Sequence, residues 1–274
     1  MIGAAKERSA RVIAVTSGKG GVGKTNVSVN LSVALGRIGK QAMLVDGDFG
    51  LANANILLGL NANATISDLL SRNCGMADVI QEGPAGMMLV PGHSGSGPHS
   101  ALGTSERRRL ASAFRPYAGE VDHVLVDTAS GIGPEAMNLV ASSDVILLVL
   151  SGEPTAFMDA YQLVKVLAME HSRTEILVVT NMVEDEEAGR QLFRHFHEVV
   201  KRFLPTRLAH LGSVPRDDRI RESVLRKRCC LEAFPESRAS AAFGRLARTL
   251  SDASLPQTDG GDRFFGMEAM HAAH

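Results

Sequence analysis

The sequence has few of the residues that mark several protein classes. Its 274 residues include three cysteines, two tyrosines and no tryptophan. Cys229 and Cys230 are adjacent and Cys74 is distant, so we predict neither a disulfide framework nor a paired C-x-x-C metal site. A reducing cytosol is the simplest compartment for a chain of this kind.

The sequence also lacks a charge excess and a long apolar run. Lysine and arginine total 29 against 30 for aspartate and glutamate, which excludes a generally basic nucleic-acid binder but not a local basic patch. No uncharged apolar run reaches ~18 residues, and the N-terminal sequence MIGAAKERSAR is charged where a signal peptide is apolar. We therefore expect a cytoplasmic globular protein that is neither secreted nor membrane-spanning.

Short runs rich in Val, Ile and Leu recur along the chain. Several, such as VILLVL, are apolar almost throughout, which is typical of strands covered on both faces. Helical patterns between them, such as 26–36 and 157–170, indicate an α/β fold with a mostly parallel sheet and helices on both faces. The predicted strands are 12–16, 42–46, 87–90, 121–127, 145–150, 176–180 and 210–214.

All of these strands fit one sheet, so we predict one domain over residues 11–250. Residues 1–10 are predicted to be an N-terminal tail, and 251–274 a linker with a short C-terminal segment. The Gly, Ser and Pro residues of 91–104 predict a surface loop. The C-terminal segment contains RFFGMEAM, whose apolar residues leave two alternatives: an amphipathic membrane contact, or docking on the protein's own surface.

The first predicted strand is followed by Gly18-x-x-x-x-Gly23-Lys24-Thr25, the pattern of a phosphate-binding P-loop. Glycines let successive backbone N–H groups point at the phosphates without a Cβ in the way. Lys24 supplies a positive charge for the β- and γ-phosphate oxygens, and the Thr25 hydroxyl can ligate Mg²⁺. The N-terminus of the following helix adds partial positive charge. These residues predict binding of a nucleoside triphosphate with Mg²⁺.

Carboxylates follow two of the predicted strands, at the edge where α/β sheets bind ligands. Asp48 lies just beyond the strand 42–46, where a carboxylate can orient the attacking water or accept its proton. Asp46 is interpreted as a structural residue or one that contacts Mg²⁺ through water. Asp127 ends the strand 121–127 and is followed by Gly131.

The loop reads Lys19-Gly20-Gly21-Val22-Gly23-Lys24-Thr25 and so resembles the K-G-G-x-G-K-T signature of the MinD/ParA family of deviant P-loop ATPases. The resemblance implies that Lys19 reaches across a homodimer interface to the partner's ATP. The segment Asp46-Gly47-Asp48-Phe49-Gly50-Leu51-Ala52-Asn53 resembles the family's switch I, which implies a catalytic Asp48 and a supporting Asn53.

The same resemblance assigns residues farther along the chain. Asp127 to Gly131 resembles switch II, in which the aspartate holds Mg²⁺ through water and the Gly131 N–H contacts the γ-phosphate. Asn181 matches the family's adenine-side asparagine, and Pro215 and Arg216 match the loop that covers the base. The predicted catalytic residues are Lys19, Lys24, Asp48 and Asn53, and the predicted metal residues are Thr25, Asp48 and Asp127. The predicted nucleotide-contacting residues are Gly18, Lys19, Gly20, Gly21, Val22, Gly23, Lys24, Thr25, Asn26, Gly131, Asn181, Pro215 and Arg216.

Longer stretches, among them DTASGIG, EPTAFMDAYQLVK and RCCLEAFPESRASAAF, resemble the FleN/FlhG branch of the family, which limits flagellar number. The branch acts through the flagellar transcription activator FleQ or FlrA and the GTPase FlhF. The N-terminal D-Q-A-x-x-L-R motif that activates FlhF is absent, and Gly47 and Asn55 depart from the usual residues. Contact with FlhF and a peripheral position at the inner membrane or cell pole therefore stay open.

Two alternatives remain from the sequence. One is a DNA-partitioning ATPase of the ParA type or a division-site ATPase of the MinD type, and the other is a nucleotide-binding regulator without meaningful hydrolysis. The run 216–228, RDDRIRESVLRKR, mixes acidic residues with its basic ones, which favours a solvated helix face or a protein contact over DNA binding.

Overall fold

The computed structural model describes residues 10–48, 52–71, 73–92, 103–253 and 264. Within these ranges the apolar runs form one eight-stranded sheet with the order β3-β4-β2-β5-β1-β6-β7-β8. The strands are β1 Arg11–Thr16, β2 Ala42–Gly47, β3 Gln81–Glu82, β4 Met88–Val90, β5 His123–Thr128, β6 Val145–Ser151, β7 Glu175–Val183 and β8 Arg207–Pro215.

The sheet confirms the predicted α/β fold. Neighbouring strands are parallel throughout, except that β3 pairs antiparallel with β4 at the edge. Each of the seven predicted strands is present, whereas β3 was not predicted because two residues are too short to show a pattern. β1 lies between β5 and β6, so its carboxyl end meets those of β2, β5, β6 and β7 at one edge.

Helices cover both faces of this sheet, as the continuously apolar strands require. One face packs against α1, α10 and α11, and the other against α3 to α8. The helices are α1 Lys24–Arg37, α2 Ala54–Leu58, α3 Ile66–Leu70, α4 Met76–Val79, α5 Thr104–Phe114, α6 Pro134–Ala141, α7 Pro154–Glu170, α8 Glu186–Phe203, α9 Asp218–Leu225, α10 Cys230–Ala233 and α11 Arg238–Asp252.

The predicted loop and linker lie largely outside the described residues, which exclude 93–102 and 254–263. Helix α11 continues through Asp252, two residues into the predicted linker. Phe264 is buried, with its ring centroid 5.4 Å from that of Phe114 on α5, so this residue docks on the protein's own surface. Its neighbours Phe265, Met267 and Met270 lie outside the described residues. Among the described helices, none combines the length and apolar character needed to span a bilayer.

Candidate nucleotide-binding site

The P-loop runs from the end of β1 into α1 and is shaped by its glycines. Gly21 and Gly23 have φ values of 84° and 85°, in the left-handed region that favours glycine. A Cβ at Gly18 would collide with the backbone of Asp159 on α7, so only glycine allows this approach. Gly23 is the N-cap of α1 and has no side chain with which to cap the helix. The first N–H groups of α1 therefore remain suited to an anion.

Lys24 lies in the first turn of α1 and points under the loop. Its Nζ is 2.8 Å from Oδ1 of Asp127, and the two side chains are only 6% and 1% exposed. Ser28, one turn along α1, donates its hydroxyl to the same carboxylate oxygen at 2.8 Å. Ser28 was not predicted, although its i+4 spacing from Lys24 places both on one helix face. The structure thus brings together two of the predicted site residues, Lys24 and Asp127.

Asp46 lies in register with Asp127 on the neighbouring strand and fastens the switch I segment. Its carboxylate accepts the backbone N–H of Asp48 at 3.3 Å, of Asn53 at 2.8 Å and of Ala54 at 2.9 Å. Burial and the negative charge of Asp127 raise the pKa of Asp46 to about 7, while these three N–H groups oppose the shift. Asp46 therefore holds the backbone of Asp48 and of Asn53, while its contact with Mg²⁺ through water stays a prediction. Residues 49–51 between them lie outside the described part.

Asn181 and Gly131 contact the loop through hydrogen bonds within the chain. The Asn181 amide donates to the Val22 carbonyl at 2.8 Å and lies where a Cβ of Gly23 would be. The Gly131 N–H donates to the Ser17 carbonyl at 2.8 Å, rather than pointing away from the protein as a γ-phosphate contact would require. The contact of Asn181 with adenine and that of Gly131 with phosphate stay predictions. For the second, the Gly131 N–H would have to exchange the Ser17 carbonyl for a phosphate oxygen.

Lys19 occupies the rim of the loop and is 40% exposed. Its ammonium lies 2.8 Å from the Thr155 hydroxyl and 3.4 Å from the Glu153 carboxylate, both at the start of α7 of the same chain. The sequence did not predict these partners, because nothing in it indicates that α7 begins beside the loop. A role of Lys19 across a dimer stays a prediction.

Pro215 ends β8 and Arg216 follows it, two strands away from β6 in the sheet. The Arg216 N–H donates to the Val183 carbonyl at 2.7 Å. Farther along the basic run, Arg219 and Arg226 both pair with Glu222, and their guanidinium groups each lie 4.8 Å from the Phe234 ring centroid. These two arginines are therefore partly neutralised, which agrees with the predicted helix face or protein contact.

The residues present fit a nucleotide phosphate with Mg²⁺. The left-handed glycines open the loop, α1 has an uncapped N-terminus, and Lys24 supplies a positive charge below it. Thr25 is half-buried beside Lys24, with a hydroxyl of the type that ligates Mg²⁺ in such loops. The buried carboxylate of Asp127 adds the oxygen donor that this ion prefers.

Comparison with known proteins agrees with this geometry. The model of the CobQ/CobB/MinD/ParA nucleotide binding domain matches residues 13–229. The chain belongs to this family. Antiactivator FleN of Pseudomonas aeruginosa is 41% identical over 260 residues, covering 95% of this chain and 93% of that protein. Flagellum site-determining protein YlxH of Helicobacter pylori is 28% identical over 241 residues, covering 88% and 81% respectively.

A solved structure of the family is also similar. It is the septum site-determining protein MinD complexed with Mg-ADP from Pyrococcus horikoshii, with a TM-score of 0.71 at 28% identity, covering 89% of this chain and 96% of that chain. The predicted MinD/ParA membership and the resemblance to the FleN/FlhG branch are thereby confirmed. The individual site residues and the domain limits stay predictions.

Proposed function

We propose that the chain is an ATP-controlled dimerising switch that regulates flagellar number by binding a flagellar transcription activator of the FleQ or FlrA type. The observation that carries the proposal is the loop with two lysines in different environments. Lys24 is buried against Asp127, whereas Lys19 is exposed at the rim and able to leave its contacts. The 41% identity to an antiactivator supports the regulatory role.

Each site residue has a task in this proposal. Backbone N–H groups of the loop and Lys24 bind the phosphates, while Asn181 and the segment of Pro215 and Arg216 lie on the side of the base. Mg²⁺, held by Thr25 and by Asp127 through water, would neutralise charge on the phosphate oxygens. Asp48 orients the attacking water or accepts its proton, and Asp46 keeps Asp48 in place through its backbone.

The switch acts through differential affinity. A ligand shifts an equilibrium only if it binds one state better, so Lys19 must hold the partner's ATP better in the dimer than any group does in the monomer. Slow hydrolysis then returns the chain to the monomer and releases the activator. The protein is proposed to act in the cytoplasm, with FlhF and the inner membrane as further contacts to test.

The deciding measurement is light-scattering mass with Mg²⁺ and a nonhydrolysable ATP analogue. We expect the mass of two chains for wild type and of one chain for Lys19→Ala, with Lys201→Ala, an exposed lysine on α8, as the matched control. A wild-type mass of one chain at saturating nucleotide contradicts the proposed switch. Normal flagellar number in a deletion strain contradicts the flagellar role.

Hydrolysis is tested separately from dimerisation. Phosphate release should fall roughly 100-fold in Asp48→Ala, because the general base is lost. ATP affinity should fall much less than phosphate release, since Lys24 and the N–H groups of the P-loop, which contact the phosphates in the proposal, are kept. Equal phosphate release by the two proteins would leave a nucleotide-binding regulator that does not hydrolyse ATP through Asp48.

A further inference from the structure

A cavity of about 440 Å³ lies beside α2, apart from the P-loop. Its walls come from α2, the start of α3 and the end of α9, and they include Asn55, Ile56, Leu60, Thr65 and Lys227. Among the described residues that line it, Lys227 is the one cation and there is no carboxylate. Its chemistry therefore favours a ligand that is both partly apolar and negatively charged.

Lys227 adopts a backbone conformation that its residue type disfavours. Its φ is 51°, in the left-handed region where glycine or asparagine is usual after a helix. The carbonyl of Lys227 faces Gly59 at the end of α2 so closely that a Cβ there would lie 2.5 Å from it. An unfavourable conformation kept at the rim of a cavity points to a use for the lysine side chain.

The charge of Lys227 is also available to a ligand. Its neighbours Arg226 and Arg228 pair with Glu222 and Glu232 respectively. Within the ranges that the structure describes, no carboxylate pairs with Lys227. An exposed, unneutralised ammonium of this kind steers and orients an acidic partner.

Apolar side chains accompany this charge. Ile56 on α2 is 51% exposed and lines the cavity, and Leu225, two residues before Lys227, is 76% exposed. Large aliphatic side chains with this exposure beside a concave site are typical of protein contacts.

We propose that the cavity binds an acidic segment of the protein partner, which places an apolar side chain against Ile56 and a carboxylate on Lys227. The proposal rests on the proposed function, in which this partner is the flagellar transcription activator. It assigns a protein contact to the end of the basic run, for which the sequence left a solvated helix face or a protein contact open.

The same cavity adjoins the switch I segment. The Asp46 carboxylate holds the start of α2 at Ala54, and the cavity residue Gly92 approaches the Asp46 carbonyl so closely that a Cβ would lie 2.5 Å from it. A movement of switch I therefore moves a cavity wall. By linkage, nucleotide and partner then affect each other's binding by the same factor.

The test measures binding of the full-length activator from the same organism to the ATP-bound chain by calorimetry. Lys227→Glu should weaken binding roughly tenfold through charge reversal, and Ile56→Asp should do the same. Matched controls are Lys201→Glu on α8 and Met169→Asp on α7, which change an exposed lysine and an exposed apolar residue outside the cavity. Both controls should bind like wild type.

A further variant separates binding from folding. Lys227→Gly relieves the left-handed conformation, so its thermal midpoint should equal or exceed that of wild type. It should still bind the activator roughly threefold more weakly, because one exposed charge is lost. Hydrogen exchange on the wild-type complex should show protection at residues 54–65 and 225–230.

The outcomes are distinguishable. If wild type binds the activator and the variants at positions 56 and 227 bind it equally well, the cavity proposal is wrong and the proposed function stands. If wild type does not bind the activator in any nucleotide state, the proposed function fails and the cavity proposal fails with it.

Discussion

Lys24 and Asp127 form an ion pair that is almost completely removed from water. Replacing Lys24 with Met keeps the side-chain volume but leaves the buried Asp127 carboxylate with the Ser28 hydroxyl as its one side-chain donor among the residues that the structure describes. We expect the free energy of unfolding, measured in urea without nucleotide, to fall by about 3 kcal/mol. This loss of stability is expected in the absence of ATP, and the variant should also lose ATP binding.

A second substitution checks the cause of that destabilisation. In Lys24→Met with Asp127→Asn, the neutral amide can still accept the Ser28 hydroxyl, and no uncompensated charge remains. About half of the lost stability should return, whereas Lys201→Met, at an exposed position on α8, should change little. An unaltered midpoint in Lys24→Met would mean that the ion pair contributes nothing in solution.

His210 gives the molecule a pH dependence that has a definite sign. Its Nε2 lies 3.2 Å from the Thr180 hydroxyl, its ring stacks on Phe193, and burial lowers its pKa from 6.5 against the opposing charge of Glu186. The unfolded chain therefore binds a proton at higher pH than the folded chain does, so stability falls as the pH drops through 6.5 and below.

His210→Gln removes this group and should flatten that part of the stability curve. The measurement is the thermal midpoint between pH 8 and pH 5 for wild type, His210→Gln and the exposed control His195→Gln. Between pH 8 and pH 5, the thermal midpoint should fall further for wild type and for the control than for His210→Gln. Parallel curves for all three proteins would exclude His210 as the source.

Helix α8 packs on β7 and β8 at a distance that only glycine permits. A Cβ at Gly189 would collide with Ser213 on β8 and lie 2.7 Å from the Thr180 hydroxyl on β7. Gly189→Ala should therefore push α8 outward and lower the free energy of unfolding by roughly 2 kcal/mol, despite the higher helix propensity of alanine. Gly152→Ala, where a Cβ would be 4.0 Å from Leu192, is the matched control for denaturation.

The strands and the site differ in how far the sequence predicts them. Strands such as β6 are apolar throughout, and the P-loop has a fixed spacing, so both are predictable from local pattern. Other contacts depend on how separate segments approach each other. Examples are the hydrogen bond from the Asn53 N–H to the Asp46 carboxylate and that from Lys19 to the Thr155 hydroxyl. Asn30 of α1 likewise accepts the Cys230 N–H at 2.8 Å, 200 residues away, and no local pattern indicates this.

The parallel sheet gathers these distant segments at one edge of the molecule. Strands β1, β2, β5 and β7 run in the same direction, so their carboxyl ends bring together the P-loop, Asp46, Asp127 and Asn181. The topology thus places the two predicted switch segments on one side of the loop and the start of α7 on the other. Lys19 lies between the nucleotide site and α7, which makes its contacts relevant to assembly.

The proposed dimerisation through Lys19 requires this side chain to leave Thr155 and Glu153 of its own chain. Both contacts are solvent-exposed, so together they are worth about 0.5–1 kcal/mol. Each of the two chains loses these contacts on dimerisation, so removing them by Thr155→Val with Glu153→Gln should raise the dimerisation constant with Mg-ATP roughly 5- to 30-fold. Light scattering over a dilution series measures this, with Lys19→Ala in the same background as the control that stays monomeric. A weaker dimer in the double variant would show instead that these side chains act across the interface, and the intrachain contacts would then have no restraining role.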